Sequence, residues 1–118
     1  LYQCLLNGGE LHGQRIIGTA TLAEMTQPQT GDLKTGFVDG MSFGFGFAVV
    51  KEPQGITATL SAGTYGHGGA FGTQGWLDPH QDLFLIILFQ RVGLPNADGS
   101  DVRAAVQRVV SGAIRRVE

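Results

Sequence analysis

Tyr65-Gly66-His67-Gly68-Gly69-Ala70-Phe71-Gly72, continued by Thr73-Gln74-Gly75-Trp76-Leu77-Asp78-Pro79, is the stretch on which the reading of the fold turns. Ser61 to Gly69 packs four glycines and a histidine into nine residues. Ala70 to Leu77 has enough Phe, Thr and Trp for a strand, interrupted by Gly72 and Gly75. Asp78-Pro79-His80-Gln81-Asp82 reads as a turn. The apolar run Leu83 to Phe89 comes next and is closed by Gln90 and Arg91. A continuous run of that kind is expected to be a strand covered on both faces, hence central in its sheet.

Upstream, Ser42 to Val50 has a period of two. Phe43, Phe45, Phe47 and Val49 share one face, and Gly44, Gly46 and Ala48 share the other. The expectation is one strand whose glycine face admits a close neighbour. Lys51 to Gly55 reads as a turn, Ile56 to Leu60 as a short extra strand, and Gln29 to Asp39 as a polar loop. Leu1, Tyr2, Leu5 and Leu6 lie at helical spacing and meet a C-cap at Asn7-Gly8-Gly9. Glu10 to Ile17 is a connection. Thr19 to Gln27 is a helix with capping-box spacing at Thr21 and Glu24, a stripe of Leu22 and Met25, and a stop at Pro28.

Downstream, Gly93 to Gly99 is a loop, after which Ser100 caps the clearest helix. There Val102, Ala105, Val106, Val109, Val110, Ala113, Ile114 and Val117 recur at i, i+3 and i+4, with Asp101 at the start and Arg115 and Arg116 at the end. That stripe is expected to lie on the sheet. The predicted architecture is α+β: antiparallel strands covered by a C-terminal amphipathic helix.

The 118 residues are enough for one domain. A net charge of −2, with 8 Lys+Arg against 10 Asp+Glu and no block of like charge, argues against nucleic acid as a partner. No apolar run approaches the roughly 20 residues of a membrane helix, so no membrane span is expected. Cys4 is the only cysteine and reads as apolar filler. The chain opens at Leu1 inside a helix, with no charged segment before an apolar stretch and so no visible signal peptide. A truncated parent is the expectation.

Three patterns compete for chemistry. Gly40-Met41-Ser42-Phe43-Gly44 matches G-x-S-x-G, but a nucleophile elbow needs a strand before its serine and a helix after it, and neither is predicted. Lys34-Thr35-Gly36 is a literal K-T-G, yet it lies in a polar loop with the Phe/Gly segment still to come. His12 and His80 have no partner at metal-ligand spacing, Asp78 and Asp82 bracket a turn, and Trp76 reads as core. No metal and no cofactor is expected.

The third pattern is the Tyr65 to Gly72 stretch together with the Thr73 to Pro79 segment and the Leu83 to Gln90 run. In order and spacing it resembles the C-terminal part of serine β-lactamase-like hydrolases: class C β-lactamases, DD-peptidases and related esterases. In that family a third box, K-T-G, H-T-G or H-G-G, precedes a glycine-bearing strand, a turn often holding Asp-Pro, a very apolar strand and a terminal helix. Leu5-Leu6-Asn7-Gly8-Gly9-Glu10-Leu11, Gly13-Gln14-Arg15-Ile16-Ile17, and Ala20-Thr21-Leu22 with Met25 resemble the segment before those strands. Residues 1–118 are then read as a single partial domain, a fragment of the β-lactamase/transpeptidase-like fold.

The resemblance implies roles. His67 takes the Lys/His position of the box, Gly68 and Gly69 complete it and face substrate with Phe71, and the backbone N–H of Ala70 is an oxyanion donor. Gly68 in place of Thr removes a hydroxyl that β-lactamases use on the substrate carboxylate, which favours ester or peptide acyl transfer over β-lactam hydrolysis. The family nucleophile sits in S-x-x-K. Here Ser42, Ser61, Ser100 and Ser111 lead to Phe45, Thr64, Arg103 and Ile114. Tyr-x-Asn and Tyr-x-Ser fail as well, because Tyr2 leads to Cys4 and Tyr65 to His67. The expectation is a chain inactive alone, whose parent acts on a small-molecule ester, β-lactam or peptide. The alternative is a non-catalytic binding or interaction module derived from that fold. A sheet edge left uncovered by truncation predicts a homo-oligomer.

Overall fold

A computed structural model describes residues 1–35 and 38–114. Their order is helix α1 (Tyr2–Leu6), a small ribbon of β1 (Glu10–Leu11) and β2 (Gln14–Arg15), α2 (Thr19–Thr26), β3 (Met41–Phe43), β4 (Ala48–Val50), a 3-10 turn Gly55–Thr57, β5 (Tyr65–Gly68), β6 (Gln74–Asp78), β7 (Leu83–Ile87) and α3 (Asp101–Ala113). Strands β3 to β7 form one antiparallel sheet in sequence order, a meander. The predicted α+β architecture with a C-terminal helix is present.

Successive side chains of a strand face opposite ways, so the sheet carries two cores. On one face Val49, Tyr65 and Leu77 bury Leu5 of α1 and Leu22 of α2, with Tyr2, Leu6, Ile17 and Phe47 around them. On the other, Met41, Ala48, Val50, Leu60 and Trp76 pack together with Val38 and Phe43. Cys4 of α1 is buried, as an apolar filler would be.

Several predicted elements differ. The period-two segment Ser42 to Val50 is two strands: Phe43 pairs with Ala48, the chain reverses through Gly44 to Phe47, and the Gly44 N–H donates to Phe47 O. Gly46 at φ 84 permits that reversal, which alternation alone does not reveal. Close approach is real at Gly44, where a methyl would overlap Met25 O at the end of α2. Ile56 to Leu60 is no strand. Gln54 and Thr57 close a capping box around the 3-10 turn instead. Glu10 to Ile17 contains the β1–β2 ribbon, and β6 starts at Gln74 because residues 70–72 are a turn. Helix α2 begins at Gly18 with no side-chain cap, so Thr21 lies inside it and the predicted capping box is absent.

The apolar run after the turn is an edge strand among the described residues, not a central one. Leu85 and Ile87 are buried while Phe84 and Ile86 are exposed, and Tyr2 is the ring that meets Phe84. The final helix is rotated from expectation. Its buried residues are Arg103 and Gln107, whereas Val102 is exposed and Val109 is 72% exposed. Polar groups win that face because each finds a partner: Gln107 Nε2 donates to Ile56 O at 2.7 Å and Ser111 Oγ to Thr59 O at 3.2 Å. Arg115, Arg116 and Val117 lie outside the described residues. Among the described residues no helix is long and apolar enough to cross a membrane.

Asp78, buried at the end of β6, ties the Ser61 loop to the β6–β7 turn. Its carboxylate accepts the Ser61 N–H at 2.8 Å, the His80 and Gln81 N–H groups at 3.1 Å each, and Gln81 Nε2 at 2.7 Å. Burial alone would raise this carboxyl; the hydrogen bonds from Ser61 and Gln81 outweigh it and hold Asp78 below the ordinary value.

Two outcomes are expected. A carboxyl held low in the native state adds stability that is fully present above the ordinary value of 3.8 and is lost as pH falls through the native value. Asp78→Asn should cost about 1–3 kcal/mol at pH 7 by urea denaturation. That deficit should narrow as the medium is taken below 3.8. In the sheet itself, a methyl at Gly66 would overlap Gly75 O, which is backbone, whereas a methyl at Gly75 would overlap only the Tyr2 hydroxyl end, which can swing aside. Gly66→Ala should therefore cost about 1–3 kcal/mol and exceed Gly75→Ala; equal urea midpoints would contradict this register.

Candidate functional site

Strand β5 has two neighbours for half its length and one for the rest. It pairs with β4 only at Tyr65 and Gly66, because β4 starts at Ala48 after the hairpin reversal. It pairs with β6 as far as Gly68 opposite Gln74. Beyond Gly68 the Gly69 N–H donates to Thr73 O at 2.7 Å, and the Gly72 N–H returns to Gly69 O at 2.9 Å. Gly72, at φ 95, closes this three-residue turn in the left-handed region. Amides alternate in direction along a strand. With Gly69 turned toward β6, the N–H of Gly68 points to the side β4 has left open. The Ala70 N–H meets no backbone acceptor among the described residues.

His67 is exposed at this open edge. Its Nδ1 lies 2.6 Å from Gly68 O, and since a carbonyl oxygen only accepts, Nδ1 carries the hydrogen. In the neutral ring Nε2 is then the acceptor. The imidazole is held edge-on to Phe43, with centroids 5.8 Å apart.

Across from the strand runs the loop before α3, and between them lies a cleft of about 310 Å³ lined by His67 to Ala70 on one side and Leu94 to Asp98 on the other. The loop is pinned from beneath. Gln74 Nε2 donates to Asp98 Oδ1 at 3.2 Å, Asn96 Oδ1 accepts the Gly99 N–H at 3.0 Å, and Arg103 Nη1 donates to Asp98 O at 2.9 Å.

Arg103 is the least expected group here. Only 1% exposed, its guanidinium stacks 4.2 Å from the Trp76 ring centre while Nε donates to Gln107 Oε1 at 2.7 Å. Trp76 Nε1 in turn donates to Gln74 Oε1 at 2.7 Å. Burial lowers the Arg103 pKa to about 10, with Asp98 acting the other way, so the group stays charged near neutrality. Nothing in the valine stripe of α3 singles out Arg103 and Gln107. Their i, i+4 spacing after the Ser100 cap is the signal that was open to use. Asp98 reads in the sequence as one more loop residue.

The structure brings His67, Gly68, Gly69 and Ala70 to one cleft. Phe71 is left out of it: half-exposed at the tip of the turn, it lines a different hollow with Leu88, Phe89 and Gln90. The two other motifs lie elsewhere. Ser42 is buried in β3 with its hydroxyl 2.7 Å from Thr30 Oγ1, so Gly40 to Gly44 is no elbow. Thr35 Oγ1 donates to Met41 O, Lys34 lines a groove with Asp32, Lys51 and Glu52, and Gly36 lies outside the described residues. None of Ser42, Ser61, Ser100 and Ser111 lines the His67 cleft.

No curated protein matches the chain. The family model described as Beta-lactamase matches residues 3–109, a span that takes in most of α1, the whole sheet, the cleft and the larger part of α3. The arrangement of a glycine-bearing strand end, a tight turn, an apolar strand and a terminal helix is thus matched along nearly its full length, and the chain belongs to the Beta-lactamase family.

Proposed function

We propose that this chain forms the third-box wall of a serine β-lactamase-like acyl-transfer site, with His67-Gly68-Gly69 as the box and the Ala70 N–H as an oxyanion donor. The observation that carries this is the half-paired end of β5. Its outward N–H groups border a cleft, as a donor aimed at developing charge must. In such a reaction a serine oxygen adds to the substrate carbonyl and the carbonyl electron pair moves onto oxygen. The Ala70 N–H stabilises that oxyanion until the leaving group departs with a proton. His67, with Nδ1 committed to Gly68 O, offers Nε2 to a hydroxyl of the substrate or of the catalytic machinery. Gly68 in the Thr position favours esters or peptides over β-lactams.

The nucleophile is not part of this wall. No serine here stands in S-x-x-K, and the cleft has no serine in its lining. We therefore take the chain to be inactive alone. That same lack of a nucleophile favours a second reading, a ligand-binding or interaction module that keeps the cleft without the chemistry.

Two surfaces remain uncovered among the described residues: the outer edge of β7, flanked by exposed Phe84 and Ile86, and the part of α3 that carries Val102 and Val109. An unpaired apolar strand edge tends to pair with another chain. We propose that copies of this chain associate through β7.

Labelling with a fluorescent β-lactam and with a fluorophosphonate, read by intact mass, should give no covalent adduct. Stoichiometric serine acylation would overturn the assignment of the nucleophile to residues outside this chain. Light scattering at micromolar concentration should give more than the monomer mass, and a clean monomer would remove the β7 association.

A further inference from the structure

We propose that Asp98 sets the charge preference of the His67 cleft, so that it takes substrates bearing an ammonium or other cationic group near the scissile carbonyl and rejects those bearing a carboxylate there. This rests on the reading of the cleft as an acyl-substrate wall.

The Asp98 carboxylate lies directly against the backbone of β5. A methyl group at Gly68 would overlap Asp98 Oδ1 and stand 2.7 Å from Gln74 Nε2. Gly68 is small because a carboxylate already fills the space beside it. Where the family's box carries a Thr hydroxyl, a donor able to bind a substrate carboxylate, this chain places an acceptor. The reversal is complete in kind, since an ionised carboxylate has lone pairs and no proton to give.

No lysine or arginine on the cleft's surface cancels that charge, and Asp98 is the one carboxylate among the residues lining it. Gln74 Nε2 donates to the carboxylate at 3.2 Å but brings no charge. The nearest cation, Arg103, gives its Nη1 to the Asp98 backbone oxygen, not the carboxylate, and is buried behind the loop against Trp76. It damps the field without facing the ligand. A carboxylate entering the cleft would meet a like charge at contact distance with no lysine or arginine in the lining to offset it, and selection by such repulsion is as effective as selection by attraction.

The test uses the intact chain and three small probes on one acetamide core: N-acetylglycinate, N-acetylglycinamide and N-acetylethylenediamine, which are anionic, neutral and cationic at pH 7. Binding is read from the amide shifts of Gly68, Gly69 and Ala70 by NMR titration. The cationic probe should bind about tenfold more tightly than the anionic one, with the neutral probe between them. In Asp98→Asn, and in Asp98→Ser as a second variant with an unchanged spectrum elsewhere, that ratio should fall to about one. Equal affinities in the unmodified chain, a preference for the anion, or a preference that survives both substitutions would overturn the proposal and leave the cleft reading standing. Should none of the probes move these amides, the cleft reading itself fails and takes this one with it.

Discussion

Strand β5 can occupy its place in the sheet only because it and its partner present bare backbone at the points of closest approach. Gly66 lies against Gly75 O, Gly68 against the Asp98 carboxylate, and Gly75 against the Tyr2 hydroxyl. The two strands of the β5–β6 hairpin thereby meet backbone to backbone, and two further elements dock onto it, the loop before α3 by an acidic side chain and α1 by an aromatic one. A side chain at Gly66 meets backbone already in place, and close-packed interiors yield little room to relax, whereas at Gly68 and Gly75 it meets the end of another side chain. The glycine content of this segment therefore has a geometric cause. It lets the hairpin be narrow enough for the cleft wall and both cores to share it.

Helix α3 is positioned by a polar contact. The Arg103 guanidinium on Trp76, with Gln107, Gln74 and Asp98 around it, forms a buried network in which most donors have partners; Arg103 Nη2 has none. A buried charge is tolerated only where such partners and an aromatic face replace water. The arrangement fixes the rotation of the helix, because Arg103 and Gln107 must both face the sheet. The consequence appears on the other side, where Val102 and Val109 are turned outward. The network also joins the helix to the cleft, since the backbone oxygen that accepts from Arg103 belongs to the same Asp98 whose carboxylate lies on Gly68.

Much of this is legible from residues alone. The order of β5, the turn, β7 and α3 can be read from Tyr65 to Gly72, Asp78-Pro79 and the Ser100 cap, and the gathering of His67 to Ala70 at one edge from the box. The features that escape the sequence have a common physical origin. Alternation from Phe43 to Val49 fits one strand or two, and only the positive φ of Gly46 decides. The apolar stretch from Leu83 reads as covered on both faces because hydrophobicity reports a tendency to be buried, while burial depends on what else is present. The valine stripe of α3 suggests an apolar docking face, yet long-range partners such as Ile56 O for Gln107, 51 residues away, outweigh a local pattern. Asp98 is invisible for the same reason: its significance comes from Gly68, thirty residues earlier in the chain.

The function proposed for the cleft depends on β5 ending as a half-paired strand whose outward amides are free to bind a developing charge. NMR-detected hydrogen exchange at single residues probes that strand end without a substrate. Exchange should be slow at Gly66, which faces β4, and at Gly69, whose N–H is bound to Thr73 O, and fast at Gly68 and Ala70 between and beyond them. Protection of Gly68 and Ala70 equal to that of Gly69 would mean that this edge is already covered, and would contradict a free oxyanion donor at Ala70.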